Sequence, residues 1–294
     1  MEKTIVLTGA TSGFGAAAVD RLLNRTNQPI VIGARSVEAS REKYGDRVKV
    51  HKLDLERLSS VKQFCAEIEN AEIATLGMNA GITSRKIQST EDGFDRSFQV
   101  NFLSHFLMFE LLRKQLTKDA IIITTGSGTH DPEEKAPPPP PRHADAKLLA
   151  YPQNDPGLDR FPPRAAARAY TSSKLCCILF AQEIANRYPH YRAASFDPGF
   201  LPETNLAREF PKVLAALIKR IVPLTMPRDR TGRIATTAPA YADLLLGDGM
   251  PEENGGYLAM RAGKAVEVCP SALARTSDIG TRLWSDTKSL LHLS

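Results

Sequence analysis

Short runs of apolar and β-branched residues recur along the chain and alternate with longer segments whose apolar positions follow a helical spacing. Runs that are apolar throughout predict strands buried on both faces, and the segments between them predict covering helices. The alternation therefore predicts an α/β fold, a doubly wound parallel sheet with helices on both faces. The predicted strands are Thr4–Thr8, Ile30–Ala34, Val48–Lys52, Ile73–Met78, Ala120–Thr124, Arg192–Phe196 and Gly256–Met260.

Helices are predicted between these strands, and the same rhythm continues along the chain. Since α/β folds of 294 residues commonly form one unit, we expect a single domain over residues 1–294. In such a sheet, ligands bind at the carboxyl ends of the strands. The helices are predicted to begin near Gly13, Ser36, Ser59, Asp92, Arg164, Asn205, Thr231 and Ser271.

A proline-rich insertion at about 130–164 breaks this rhythm. It contains the unbroken run Pro137–Pro141, with further prolines at positions 132, 152, 156, 162 and 163. Regular structure is not expected there, and the run favours extended polyproline II. Such a long connection is usually functional or disordered, and a plain spacer is favoured over a partner-docking PxxP site.

Composition excludes several classes of function. Lys and Arg number 38 against 33 Asp and Glu, and no basic cluster is interleaved with aromatic residues, so no nucleic-acid partner is expected. No apolar run is long enough to span a bilayer, so no stable membrane attachment is expected. The cysteines Cys65, Cys176, Cys177 and Cys269 lack metal-ligand spacing, which indicates reduced thiols and no metal site. Because the first strand begins almost at the first residue, leaving no room for a leader, we expect a cytoplasmic protein.

The segment after the first strand has the composition of a phosphate-binding turn. Glycines permit a tight turn, and free N–H groups at the start of a helix attract a pyrophosphate. At a strand-to-helix junction this pattern favours a Rossmann-type dinucleotide site over a bare turn. The predicted cofactor-binding residues here are Gly9, Thr11, Ser12, Gly13, Phe14 and Gly15.

The end of the second strand bears on the choice between NAD and NADP. Proteins selective for NAD often place an acidic residue there, whereas this chain has Arg35 followed by Ser36. A guanidinium offers planar, bidentate hydrogen bonds to a 2′-phosphate, and Ser36 adds a donor. The pair therefore favours NADP(H), although a lone solvated arginine is the simpler alternative.

Tyr170 and Lys174 lie four residues apart in a segment that is predicted to be helical, so they share one face of that helix. A nearby ammonium favours the phenolate, so we expect Lys174 to lower the pKa of Tyr170 and make proton transfer easier. Alone, this spacing is commonplace.

Several other motifs occur along the chain in a characteristic order, and together with the Tyr170–Lys174 pair they indicate one family specifically. The chain resembles the short-chain dehydrogenase/reductase family from its first residues to about Leu206. Within that family it is most similar to the carbonyl reductase, retinol dehydrogenase and protochlorophyllide reductase group, as judged from the residues after Asn101 and the long insertion before Tyr170. The matching positions are the turn from Thr8 to Gly15, Asp54-Leu55, Asn79-Ala80-Gly81, Asn101, Ser127, Tyr170 with Lys174, Pro198-Gly199, Pro202, Thr204 and Leu206.

The resemblance implies a role for each matching position. Tyr170 would protonate the carbonyl oxygen, Lys174 would hold the nicotinamide ribose, Ser127 would hydrogen-bond the substrate oxygen, and Asn101 would hold a proton-relay water. Thr125 is an alternative source of the hydroxyl. The remaining implied cofactor contacts are Asp54 and Leu55 at the adenine, Asn79, Ala80 and Gly81 along the cofactor, and Pro198, Gly199 and Thr204 at the nicotinamide.

These features predict an NADP(H)-dependent oxidoreductase that reduces an aldehyde or ketone with apolar bulk, or oxidises the corresponding alcohol. The insertion and a lid at about 204–224 would roof the substrate pocket, and the insertion must loop out so that Ser127 can meet Tyr170. The alternatives are a non-catalytic NADP-binding sensor or partner-docking protein, and a Rossmann-type methyltransferase. Either a monomer or a homodimer is expected. His105 is interpreted as a satisfied helix histidine, and His130 as a weak candidate for the pocket.

Overall fold

The structure is a computed structural model that describes residues 2–204, 220–222 and 228–293. Within these residues an eight-stranded sheet has the order β3-β2-β1-β4-β5-β6-β7-β8, parallel except for β8. The chain order reverses between β1 and β4, which is the topological switch point of a doubly wound sheet. The strands are β1 Lys3–Thr8, β2 Ile30–Ala34, β3 Val48–Lys52, β4 Glu72–Met78, β5 Leu116–Thr125, β6 Arg192–Asp197, β7 Tyr257–Arg261 and β8 Lys264–Glu267.

Helices cover both faces of this sheet and leave two apolar cores, one on each side. Helices α1 and α8 pack together on one face, α3, α5 and α7 cover the other, and α9 packs against α7. The helices are α1 Gly13–Leu22, α2 Val37–Tyr44, α3 Leu58–Glu67, α4 Arg96–Phe98, α5 Ser104–Leu112, α6 Ala146–Ala150, α7 Pro162–Arg187, α8 Ile234–Leu246 and α9 Ser277–Leu290, with a π-helix at Gln99–Leu103 between α4 and α5.

The predicted α/β fold is confirmed, and each predicted strand is present to within a few residues of its expected bounds. Strand β8 was not predicted, because it is short and mostly exposed and carries little apolar pattern. It pairs with β7 across a two-residue turn in which Ala262 and Gly263 both have positive φ, 50° and 82°. Positive φ at both turn residues is the geometry of a tight hairpin. The helix expected near Asn205 and most of the expected lid lie outside the described residues.

The insertion contains more regular structure than the proline content suggested, so that expectation is wrong. Helix α6 forms because the Asp145 side chain accepts a hydrogen bond from Leu148 N at 2.9 Å and caps its first turn. Leu149 and Ala150 are buried. The run Pro137–Pro141 is neither helix nor strand, and the carbonyl of Pro139 accepts a hydrogen bond from Thr171 of α7 at 2.8 Å. The insertion is thereby held against the helix that carries Tyr170.

Across the described parts of the chain, no helix combines the length and the apolarity that crossing a bilayer requires.

Candidate active site

A cavity of about 590 Å³ opens at the carboxyl ends of β1, β4, β5 and β6. The glycine turn forms one end and the insertion forms a wall at the other. The sequence-predicted residues in its described lining are Gly9, Ser12, Gly13, Phe14, Gly15, Asn79, Ala80, Gly81, Thr125, Ser127, Tyr170, Lys174, Pro198, Gly199, Pro202 and Thr204.

The glycine turn is built for close approach of backbone groups. Gly9 has φ +66°, and a Cβ added there would lie 2.7 Å from the Ala80 nitrogen. A Cβ on Gly15 would lie 2.2 Å from the Gly9 carbonyl oxygen. Ser12 precedes α1 without capping it through its side chain, and the first turn carries no acidic residue. The N-terminal N–H groups of α1 therefore face the cavity without a side-chain cap, which fits an anionic phosphate.

A buried polar network ties this turn to the helices behind it. Thr8 Oγ1 accepts hydrogen bonds from the backbone nitrogens of Asn79 and Ala80, at 3.0 and 3.1 Å. Its own proton is then available to His105 Nε2 at 3.0 Å, while His105 Nδ1 lies 3.0 Å from the Asn101 carbonyl oxygen. A carbonyl only accepts, so Nδ1 carries the proton and His105 is neutral. Burial lowers the pKa of His105 to about 4, in agreement with the interpretation as a satisfied helix histidine.

Tyr170 and Lys174 are both buried on the same face of α7. Lys174 Nζ donates to the Thr125 carbonyl oxygen at 2.8 Å and lies 5.9 Å from the centre of the Tyr170 ring. Burial lowers the pKa of the Lys174 ammonium. Burial also raises the pKa of the Tyr170 phenol well above its ordinary value, and the Ser127 side chain opposes this rise. The expectation that Lys174 makes the phenol more acidic is therefore wrong, because the lysine does not offset the desolvation.

The two candidate hydroxyls occupy different positions. Ser127 follows β5 and lines the same cavity as Tyr170, so the insertion does loop out and brings the two side chains to one site. Thr125 Oγ1 instead donates to Asn79 Oδ1 at 3.3 Å. Both residues line the cavity, but the Thr125 hydroxyl is engaged by Asn79.

Asn101 lies in the π-helix, a distortion that often marks functional sites. Its Oδ1 accepts from Ile82 N at 2.8 Å, and its Nδ2 donates to the Ile82 carbonyl at 3.1 Å and to Ser173 Oγ at 2.9 Å. Both amide protons are therefore engaged, which leaves a second lone pair on Oδ1 for a further partner. The side chain fixes the loop after β4 against α7.

Several predicted cofactor contacts lie at the same sheet edge but outside the cavity lining. Arg35 and Ser36 are exposed after β2, and Thr11 is exposed in the glycine turn. Asp54 is partly exposed after β3, and its carboxylate accepts from Glu56 N at 3.1 Å. Leu55 is buried, and its carbonyl accepts from Ser104 Oγ at 2.7 Å.

Five charged side chains in the cavity wall were not anticipated from the sequence, namely Arg85, Glu134, Asp197, Arg230 and Arg261. Asp197, at the end of β6, accepts hydrogen bonds from the backbone nitrogens of Gly128 and Gly199, each at 2.9 Å. Glu134 of the insertion pairs with Arg230 at 2.7 Å and with Arg261 at 2.9 Å. The position of Asp197 directly after a buried strand was a usable signal, whereas nothing local links the other residues.

His130 does not belong to the described cavity lining. Its Nδ1 lies 2.7 Å from the Ser127 carbonyl oxygen, and its Nε2 accepts from Ser271 N at 3.0 Å. Burial lowers the pKa of His130, which favours the neutral ring that this pair of contacts requires. It therefore fixes the backbone behind Ser127.

Comparisons with known proteins agree on one family. The family model for short chain dehydrogenases matches residues 3–135. The short-chain dehydrogenase iccH of Talaromyces variabilis is 31% identical, over 97% of this chain and 94% of its own. Protochlorophyllide reductase B of rice is 32% identical over 70% of this chain and 57% of its own, and mouse retinol dehydrogenase 13 is 26% identical over 99% and 84%.

Solved structures show the same fold. A crystal structure of an uncharacterised protein from Mycobacterium paratuberculosis superposes with a TM-score of 0.70 at 24% identity, over 99% of this chain and 94% of that one. A short-chain dehydrogenase/reductase from Burkholderia multivorans with bound NADP gives 0.57 at 21% identity, over 91% and 100%. Together with the relatives that resemble it along nearly its whole length, these findings identify the chain as a member of the short-chain dehydrogenase/reductase family, oxidoreductases that act on CH–OH and C=O groups.

Proposed function

We propose that the protein is an NADPH-dependent reductase of aldehydes or ketones with apolar bulk, with Tyr170, Ser127 and Lys174 as its catalytic residues. The observation that carries this proposal is that a hydroxyl, a phenol and an ammonium line one cavity with the glycine turn. NADPH would supply the hydride at its nicotinamide ring, and the protein would supply positioning and proton transfer.

Tyr170 carries the proton that reduction needs. A phenol is protonated through the neutral range, and burial keeps Tyr170 in that form, so it can donate its proton to the carbonyl oxygen as negative charge develops there. Ser127 would donate a second hydrogen bond to the same oxygen. Lys174, held by the Thr125 carbonyl, would bind the ribose hydroxyls. The lone pair of Asn101 Oδ1 would accept from a water that returns a proton towards Tyr170.

The cofactor would lie along the cavity with its pyrophosphate at the start of α1. Asn79, Ala80 and Gly81 would line its middle, and Pro198, Gly199 and Thr204 its nicotinamide end. A Cβ on Gly13 would lie 3.4 Å from Thr204 Cγ2, so Thr204 packs against the glycine turn and borders the cavity that the cofactor would fill. Asp54 and Leu55 would border the adenine.

NADPH is proposed over NADH because Arg35 and Ser36 are exposed where the 2′-phosphate would lie. A bidentate guanidinium contact to that phosphate is worth about 1.5–3 kcal/mol. Arg35→Ala should therefore weaken NADPH binding roughly 10- to 100-fold and leave NADH binding unchanged, as measured by cofactor fluorescence. Equal affinities for both cofactors in the parent protein would contradict the choice.

The substrate pocket would lie between Tyr170 and the insertion. Ala136, Pro137 and Pro138 give this wall an apolar surface. Bulky ketones and aldehydes suit such a wall because they bury apolar area against it.

The function is tested by NADPH oxidation with a panel of aromatic and aliphatic aldehydes and ketones. Ser127→Ala should lower kcat by about 10²–10³, the typical effect of removing one donor to an oxyanion. Thr125→Val, which removes the neighbouring hydroxyl, should have a much smaller effect. NADPH binding without oxidation by any member of the panel would contradict carbonyl reduction, and a larger loss in Thr125→Val would reassign the hydroxyl.

A further inference from the structure

Four side chains, Glu134, Asp197, Arg230 and Arg261, form what we term the charged cluster of the cavity wall. Glu134 lies between Arg230 and Arg261, at 2.7 and 2.9 Å, and Arg261 lies 3.9 Å from Asp197. The side chains are 18%, 5%, 23% and 16% exposed, respectively. They are therefore largely removed from water and yet border the cavity.

The charged cluster lies directly beside the group that would contact the substrate oxygen. Gly128, the residue after Ser127, donates its backbone N–H to Asp197 Oδ2 at 2.9 Å. A Cβ on Gly128 would lie 3.4 Å from Glu134 Oε2. A substrate held by Ser127 and Tyr170 would therefore extend past these charges.

Arg230 retains a donor that the described residues do not use. Arg230 Nη1 donates to the Glu134 backbone carbonyl at 2.8 Å and pairs with the Glu134 carboxylate. Arg230 Nε is buried and has no hydrogen-bond partner among the described residues. A guanidinium carries five N–H donors, and a buried donor without a partner is costly.

An entirely apolar substrate would leave more of the arginine donors without a hydrogen-bond partner. It would displace water from the cavity side of both guanidinium groups without replacing the lost hydrogen bonds. A substrate oxygen that accepts a hydrogen bond would restore them. The charged cluster borders the same cavity as the apolar wall of Ala136, Pro137 and Pro138. This arrangement indicates a substrate with one apolar side and one polar side.

On the basis of the proposed carbonyl reduction, we propose that the charged cluster binds a second oxygen of the substrate. The substrate class is then a carbonyl compound with apolar bulk that also carries a hydrogen-bond-accepting oxygen near the reducible carbonyl. Arg230 and Arg261 are the specificity-determining residues, and Glu134 and Asp197 hold them in place.

The test compares 1-phenyl-1,2-propanedione with 1-phenyl-1-propanone, which lacks the second oxygen. Arg230→Leu and Arg261→Leu should each lower kcat/KM for the dione roughly 10- to 100-fold more than for the monoketone, the range expected for losing a hydrogen bond to a charged group. The intrinsic reactivity of each ketone cancels when each variant is compared with the parent. Arg96→Leu is the matched control, because Arg96 is also paired and mostly buried, with Glu56 at 2.7 Å, but lies outside the described cavity lining.

An equal loss for both ketones in Arg230→Leu and Arg261→Leu, or the same selectivity change in Arg96→Leu, would overturn the proposal. Binding of the two ketones to NADPH-loaded Tyr170→Phe, measured by calorimetry, separates this outcome from a failure of the function itself. Tighter binding of the dione that is lost on adding Arg230→Leu would support the cluster without turnover. Equal binding of both ketones would reject it. If the parent protein reduced neither ketone, this result would contradict the proposed carbonyl reduction, and the binding measurement would still decide whether the charged cluster binds the second oxygen.

Discussion

The two ends of the cavity are formed by different groups, backbone N–H groups at one end and side chains at the other. At the glycine end, consecutive residues of one turn, Gly9–Gly15, present backbone N–H groups and leave no room for a Cβ at Gly9 or Gly15. At the insertion end, Ser127, Tyr170 and the charged cluster come from six separate segments and act through largely buried side chains. The first end depends on backbone geometry and the second on paired charges. Substitutions at the two ends should therefore differ in their effects on stability, NADPH binding and catalysis.

The largest effect is expected at the backbone end. Gly9→Ala forces a non-glycine residue to φ +66° and drives its Cβ to 2.7 Å from Ala80 N. Strain and overpacking together should cost about 3–5 kcal/mol of unfolding free energy and abolish measurable NADPH binding. Gly45→Ala is the control, since Gly45 has φ +59° but open space around its Cβ, and should cost only about 1–2 kcal/mol. Urea unfolding measures both, and equal losses would show that crowding at Gly9 is unimportant.

The insertion end should respond next most strongly, through Asp197. Asp197→Asn keeps the size of the side chain but removes the charge opposite Arg261 and turns an N–H donor towards the backbone N–H of Gly128 or Gly199. We expect a loss of about 2–4 kcal/mol in stability, and a fall in kcat with NADPH affinity retained.

The control for Asp197 is Asp286→Asn, which breaks a more exposed pair with Lys147. That variant should lose less than about 1 kcal/mol. If Asp197→Asn weakened NADPH binding as much as catalysis, the two ends of the cavity would not have separate roles in cofactor binding and catalysis.

A smaller, pH-dependent effect is expected from His105, which joins the two ends by contacting Thr8 and Asn101. Its folded pKa of about 4 lies below the ordinary value of about 6.5, so the unfolded chain binds the proton first as pH falls. Its contribution to stability is complete above about pH 6.5 and is lost progressively towards pH 4, by about 2 kcal/mol at pH 5. His105→Gln should flatten this part of the stability curve. His190→Gln, at an exposed position, should leave the slope unchanged, and the same slope in both variants would contradict the assignment.

The same contrast explains what the sequence could predict. The strands, the glycine turn and the Tyr170–Lys174 spacing depend on neighbours within a few residues, and each lies where it was expected. The pairing of Glu134 with Arg230 and Arg261 depends on where the insertion folds back, which no local pattern encodes. The pKa of Tyr170 was misjudged because the depth of burial is a property of the assembled cavity. Helix α6 was missed because the surrounding prolines masked a short capped segment.

The proposed reduction depends on the transfer of a proton from Tyr170 to the substrate oxygen. The most direct test is the rate of NADPH oxidation by Tyr170→Phe with a ketone that the parent protein reduces. Removing a positioned general acid should lower kcat by about 10²–10⁴ while NADPH still binds. A variant that reduces the ketone as fast as the parent would contradict the account.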